Sequence, residues 1–155
     1  MKIINEFLKE ARSFEKKDSV KVIIYDPEKK ILILRRQMGE GGEGQWDIAG
    51  GAIERGENQI DAAKRESFEE TGLHIEKITK VKSLNLKIPE KGINSTMHIY
   101  MANSIGTDVL LKSADWPGSG MKPEHSEVKW VSKKSELENL PMLDELKKVV
   151  MSHLK

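Results

Sequence analysis

The chain has 155 residues, with 26 basic against 25 acidic side chains and a net charge of +1. One domain is therefore expected, and the bulk field offers nothing to a nucleic-acid polyanion or an acidic membrane. The absence of cysteine excludes disulfides, thiolate zinc sites and a cysteine nucleophile; with a start, Met1 to Glu6, that fits neither a signal peptide nor a spanning helix, it points to a soluble, cytoplasmic protein.

Ile4, Phe7, Leu8, Ala11 and Phe14 recur at helical spacing and predict an amphipathic helix over about residues 2–14. Its apolar face either packs on its own domain or makes a homodimer contact. Val20 to Tyr25 and Ile31 to Arg35 read as strands of a hairpin closed by Asp26 to Lys30. The run Ile31-Leu32-Ile33-Leu34 is apolar at every position, which predicts a strand covered on both faces. Gln37 to Gln45 is a glycine-rich loop, and no Lys-Ser or Lys-Thr follows to make it a nucleoside-triphosphatase loop.

Trp46 to Ala49 is predicted as a short strand and Glu57 to Thr71 as a helix stopped by Gly72. Two strands follow, Ile75 to Ile88 and Thr96 to Ala102, joined by a turn at Pro89 to Gly92. In the second, Met97, Ile99 and Met101 alternate with His98 and Tyr100. Asn103 to Ser126 is a long loop holding Trp116, and loops of such length are commonly functional. A last strand over Val128 to Val131 and helices over Ser135 to Asn139 and about residues 141–154 complete the chain. Strands and helices so interleaved predict an α/β fold with a mixed sheet and helices on both faces.

The chemistry concentrates in Gly51 to Leu73. On a helix Glu66, Glu69 and Glu70 stand at i, i+3 and i+4 and share one face. Like charges so placed repel, and a hard divalent cation with oxygen ligands would relieve them; a solvated acidic face is the plainer reading.

The spacing decides between them. Gly51, five residues, Glu57, seven residues, Arg65-Glu66, two residues, Glu69-Glu70, one residue, Gly72-Leu73 resembles the Nudix box. Ser67 departs from the family pattern, standing where a bulky aliphatic residue is usual; on the stripe with Ile60 and Ala63 it implies a closer approach of helix to sheet. Ala49 departs too, replacing a common proline and leaving the loop less rigid.

The resemblance implies an α-β-α sandwich and an enzyme that hydrolyses a nucleoside diphosphate linked to another group, using magnesium (Mg2+) or manganese (Mn2+). It implies Glu66, Glu69 and Glu70 as metal ligands with a backbone carbonyl from Gly50 or Gly51. Glu66, or a carboxylate from another segment, would take the proton of the attacking water. Arg65 and Glu57, about 80° apart on a helical wheel, would pair and orient the ligand glutamates.

Glu124 and Glu127 are the best placed candidates for a further carboxylate. Arg35 and Arg36 could meet phosphate, although only one of two adjacent strand residues can face a cleft. Trp46 and Trp116 are candidates to stack on a base or to anchor the fold, and His98 could line the cleft with Tyr100. His74, His125 and His153 show no metal-ligand spacing with one another.

The rival reading is a catalytically silent module of the same family that binds a nucleotide. The isoprenoid diphosphate isomerase branch relies on a cysteine that is missing here. The run Ala49-Gly50-Gly51 lacks the lysine frequent in diadenosine polyphosphate hydrolases. Pro89, sixteen residues after Leu73, matches one feature of ADP-ribose hydrolases. The short single domain resembles nucleoside triphosphate cleansing enzymes at least as well, and the box alone does not choose among these substrates.

Overall fold

The structure is a computed structural model that describes residues 17–37, 44–111 and 125–155. The expected N-terminal helix, the glycines at 39, 41 and 42, Trp116 and Glu124 lie outside the described residues.

The sheet is built on β1 (Lys17–Tyr25) and β2 (Ile31–Arg36), antiparallel neighbours joined by a tight turn. One Asp26 carboxylate oxygen accepts from the backbone N–H groups of Glu28 and Lys30, and Lys29 turns the chain at φ 66°. Asp at the head of such a turn closes it through its own side chain.

β3 (Trp46–Asp47) pairs with β2, whereas β4 (Ala49–Ala52) pairs with β1. The single strand expected over Trp46 to Ala49 is therefore two. The break falls at Ile48, whose N–H is taken by Asp47 Oδ1.

Helix α1 (Gln59–Thr71) follows, then β5 (His74–Ile88), a 3-10 turn at Pro89–Lys91 and β6 (Ile93–Ile105), which runs parallel to β1 and antiparallel to β5. β7 (His125–Val131) pairs with β2, and α2 (Asp144–Ser152) closes the fold. The path β3-β2-β1-β6-β5, with β4 and β7 attached at its sides, is a mixed sheet.

The faces are two cores. Ile23, Ile31, Ile33, Trp46 and Ile99 pack with Leu146, Val149 and Val150 of α2. Val20, Val22, Ile24, Leu32 and Leu34 pack with Ala62 and Ala63 of α1. The unbroken apolar run of β2 serves both sides at once, and none of its four residues exceeds 1% exposure.

Several boundaries move for local reasons. α1 starts at Gln59, not Glu57, because Asn58 caps it: Asn58 Oδ1 accepts from Asp61 N at 2.8 Å. It ends at Gly72, at φ 74°, whose N–H reaches the Phe68 carbonyl. Ser67 is fully buried with Ala63 against the sheet, but Ile60, expected on the same stripe, is 43% exposed at the N-terminal end of the helix.

β6 and β7 extend into the stretch read as a loop from Asn103 to Ser126. The expected helix over Ser135 to Asn139 is a 3-10 turn at Lys134–Glu136 held by Glu136, which accepts from the Ser132 and Lys133 N–H groups. The last helix begins at Asp144, not near 141, because the Pro141 carbonyl accepts from Trp46 N at 2.7 Å and Met142 bridges to Trp46.

Candidate active site

The three box glutamates sit on α1 beside the Gly50-Gly51 segment of β4 and differ in environment. Glu69 is half exposed, Glu66 mostly covered and Glu70 buried at 6%. Gly51 makes the seat of Glu66: a Cβ at this position would stand 2.5 Å from Glu66 Oε1. Gly50 is excluded from carrying a side chain by the Val20 carbonyl, 2.0 Å from where its Cβ would be. The Gly50 N–H donates to Glu70 Oε1 at 3.3 Å.

Arg65 holds the exposed half together. Its Nε and Nη2 donate to the two oxygens of Glu57 at 2.8 and 3.0 Å, the bidentate arrangement that suits guanidinium to carboxylate. Nη2 also reaches the Ala52 carbonyl at 3.0 Å, while Nη1 donates to Glu66 Oε1 at 3.0 Å and to Glu69 Oε2 at 3.1 Å. One cation therefore bridges two box glutamates and ties them to the loop before the helix.

The titration of these groups follows from the contacts. Hydrogen bonds from Arg65 and then from the Glu54 backbone hold the Glu57 carboxyl below its ordinary value, and Glu57 in turn raises Arg65 further. Burial pushes Glu66 up, against the charge and hydrogen bond of Arg65, which pull it down. The repulsion of Glu69 adds to the rise.

Glu70 touches this network through Glu66 and also meets groups from other strands. His125, at the start of β7 and 5% exposed, brings Nδ1 to 3.6 Å from Glu70 Oε2. Burial lowers the His125 pKa to about 4; Asp47 opposes that shift, while Lys21 and Arg36 favour it. Lys21 Nζ is itself committed to Asp47 Oδ2 at 2.6 Å, and the Arg36 guanidinium lies 3.8 Å from the same oxygen. Sequence spacing gives His125 no role, because its neighbour Glu70 lies far away along the chain.

The remaining candidates divide. Arg35 and Glu127 face each other across β2 and β7 in an ion pair of 2.8 Å. Trp46 is 5% exposed in the core beneath α2, with the Lys129 ammonium 5.6 Å from its ring centre, so its place is that of an anchor. His98 and Tyr100 lie on the α1 side of the sheet. His98 contacts Asp18 at 3.3 Å and Ser83 at 3.0 Å, and the Tyr100 hydroxyl donates to Gln59 at 2.6 Å. Tyr100 lines an open cleft of about 880 Å³ with Asp18, Ile53, Glu57, Gln59 and Ile60.

Among the described residues no three His, Cys, Asp or Glu side chains are drawn together into a metal-holding group. The donor chemistry still fits a hard cation: carboxylate oxygens, one of them seated where Gly51 leaves room and one on the half-exposed Glu69. The Arg65 guanidinium occupies the space between Glu66 and Glu69. No helix among the described residues is long and apolar enough to cross a membrane.

Comparison with known proteins bears on the same residues. The family model for the NUDIX domain matches residues 15–154. The RNA pyrophosphohydrolase of Bartonella henselae is 28% identical over 140 residues, 81% of this chain and 79% of that protein. The oxidized purine nucleoside triphosphate hydrolase of Mus musculus is 29% identical over 84 residues, 54% of this chain; the match spans about half, 53%, of the mouse protein.

Among solved structures, a MutT protein from Methanosarcina mazei Go1 superposes with a TM-score of 0.70 at 24% identity, over 90% of this chain and 94% of that one. The NUDIX domain of Shewanella oneidensis NrtR, solved with ADP ribose, gives 0.68 at 15% identity, over 96% and 94%. These likenesses show a shared fold. With the family model spanning nearly the whole chain and Arg65, Glu66, Glu69 and Glu70 carried on α1, this chain belongs to the Nudix hydrolase family.

Proposed function

We propose that the chain is a Mg2+- or Mn2+-dependent hydrolase that cleaves a pyrophosphate bond in a nucleoside di- or triphosphate derivative. The observation that carries this is the Arg65 network, which sets Glu66 against Gly51 with its carboxylate fixed on two sides. Glu66, Glu69 and Glu70 are the ligands, joined by a carbonyl of Gly50 or Gly51. A bound cation would neutralise phosphate charge and acidify a water.

The chain's own residues do the rest. Glu57 locks Arg65, and Arg65 orients Glu66 and Glu69. The Glu66 carboxylate accepts the proton of the attacking water, with Glu124 or Glu127 as the alternative from another segment. The compared enzymes are named as an oxidized purine nucleoside triphosphate hydrolase and an RNA pyrophosphohydrolase, which favours a nucleoside triphosphate or an RNA as substrate. A cytoplasmic place of work accords with such a substrate and with the lack of cysteine.

A second reading, a nucleotide-binding module without turnover, is favoured by one feature. Arg65 already bridges Glu66 and Glu69, so much of their repulsion is relieved without a metal. One experiment separates the two: nucleoside triphosphates, oxidised purine nucleotides, 5′-triphosphate RNA, ADP-ribose, dinucleotides and nucleotide sugars are tested with Mg2+ and with a chelator. Turnover that the chelator abolishes is expected. Saturable nucleotide binding with no turnover on any member would establish the module instead.

A further inference from the structure

Two of the three box glutamates are oriented by Arg65, and the third, Glu70, meets that network through Glu66. Glu70 is the buried one, and among the described residues the Gly50 N–H at Oε1 and the His125 imidazole at Oε2 face its carboxylate from outside α1. Both are on other strands, so the direction of Glu70 is set by how β4 and β7 meet the helix. We propose that His125 is a positioning residue that aims the Glu70 carboxylate by presenting its Nδ1–H to Oε2. This rests on the reading of Glu70 as a metal ligand.

The physical case begins with charge. Ligating carboxylates are commonly held from behind by hydrogen bonds, and loss of such a partner weakens metal binding by about 10- to 100-fold. A lysine or arginine behind Glu70 would add a second positive charge to the one that Arg65 already places beside Glu66 and Glu69. A neutral imidazole supplies one N–H donor without a fixed charge. Lys21, the nearby cation that could compete, is tied at 2.6 Å to Asp47 and at 3.4 Å to the Ile48 carbonyl.

The geometry is compatible but relaxed. At 3.6 Å the contact is longer than a hydrogen bond. Such pairs often tighten only when the site is filled. His125 has little room to turn elsewhere, since 5% of it is exposed, and the β2–β7 ladder fixes its backbone opposite Arg36.

The test uses His125→Leu, which keeps bulk and removes the donor, and His125→Asn, whose amide can replace Nδ1–H. Mn2+ affinity is read by electron paramagnetic resonance on protein whose melting curve shows it folded. The 15N spectrum of the wild-type imidazole reports which nitrogen bears the proton.

His125→Leu should weaken Mn2+ binding by about tenfold or more and His125→Asn by about threefold or less. At saturating Mn2+ the loss should fall on kcat, with KM for the substrate little changed. The proton should be on Nδ1. Wild-type affinity in His125→Leu, equal weakening in both variants, or a proton on Nε2 alone would overturn the proposal. Glu70→Gln locates the fault: if it too binds Mn2+ normally, the ligand assignment of Glu70 falls and this inference with it. If Glu70→Gln loses Mn2+ and His125→Leu does not, only the role of His125 falls.

Discussion

One helix face carries three glutamates, and its two halves are stabilised in opposite ways. Glu66 and Glu69 share a cation, Arg65, which is anchored in turn by Glu57 and the Ala52 carbonyl. Glu70 is buried against a backbone N–H and an uncharged imidazole. The first half is held by charge and remains partly open to solvent; the second is buried and held by a backbone N–H. A like-charged cluster thus survives folding without a metal because one cation serves Glu66 and Glu69 while Glu70 is met by groups from other strands.

The largest effect should come from breaking the charged half at its centre. Glu66→Gln keeps shape but loses the negative charge and the basic oxygen. If Glu66 accepts the proton of the attacking water, kcat should fall by about 10² to 10⁴. Burial and Glu69 both disfavour its charged form, so removing that charge should leave the metal-free melting temperature unchanged or higher. Near-normal turnover at saturating Mg2+ would move the proton transfer to another carboxylate, with Glu124 or Glu127 the first to test. Activity lost through unfolding would make Glu66 a structural residue.

The buried half gives a smaller effect that is read in stability against pH. The unfolded chain protonates His125 near its ordinary value of 6.5, while the folded chain resists until about 4. Between those values the unfolded state binds more protons, so this contribution to stability falls as pH falls through the window. From pH 7 to 5 it amounts to about 2 kcal/mol.

Other groups bend the same curve. The lowered carboxyl of Glu57 adds a loss in the same direction, but below its ordinary value of 4.5. The raised carboxyl of Glu66 acts oppositely, because its contribution is lost as pH rises. The difference between wild type and His125→Asn, melted in chelator, isolates the histidine. Parallel pH profiles would show that His125 is not held uncharged.

The two halves were unequally legible in the sequence. The box residues, the helix that carries them and the doubly covered β2 follow from spacing and from an unbroken apolar run. The Arg65–Glu57 pair was anticipated by a helical wheel, but Glu57 lies ahead of the helix. The pair forms because the loop folds back, with Glu54 N donating to Glu57 Oε1 at 3.1 Å and Asn58 starting the helix.

His125 could not be found this way. Its contact with Glu70 joins residues 55 apart and depends on β7 lying beside β2, which no local periodicity encodes. The register shift between Arg35 and Arg36 is equally invisible; it sets His125 opposite Arg36 and Glu127 opposite Arg35. For the same reason alternation alone could not tell which arginine faced what.

The smallest effect is expected at Arg35 and Glu127, a pair that serves as the exposed reference for both halves of the site. Their contact is short, 2.8 Å, but the side chains are 42% and 51% exposed. Exposed pairs of this kind give about 0.2–1 kcal/mol, since solvent screens the attraction and two long side chains must be ordered. Directly opposed charges on neighbouring strands fall in a similar range.

A double-mutant cycle with Arg35→Gln and Glu127→Gln should therefore return a coupling below about 1 kcal/mol, reduced further by salt. Turnover discriminates the possible roles. Glu127 acting only as the partner of Arg35 predicts that Glu127→Gln keeps kcat within about threefold, because the transition state loses nothing it was using. Glu127 supplying the further carboxylate predicts a fall toward the general-base range of about 10² or more. For Arg35 the corresponding signature is in KM: a phosphate contact made equally in ground and transition states raises KM and spares kcat. If Arg35→Gln leaves both constants unchanged while the cycle returns its small coupling, the pair holds β7 to β2 and takes no part in the chemistry.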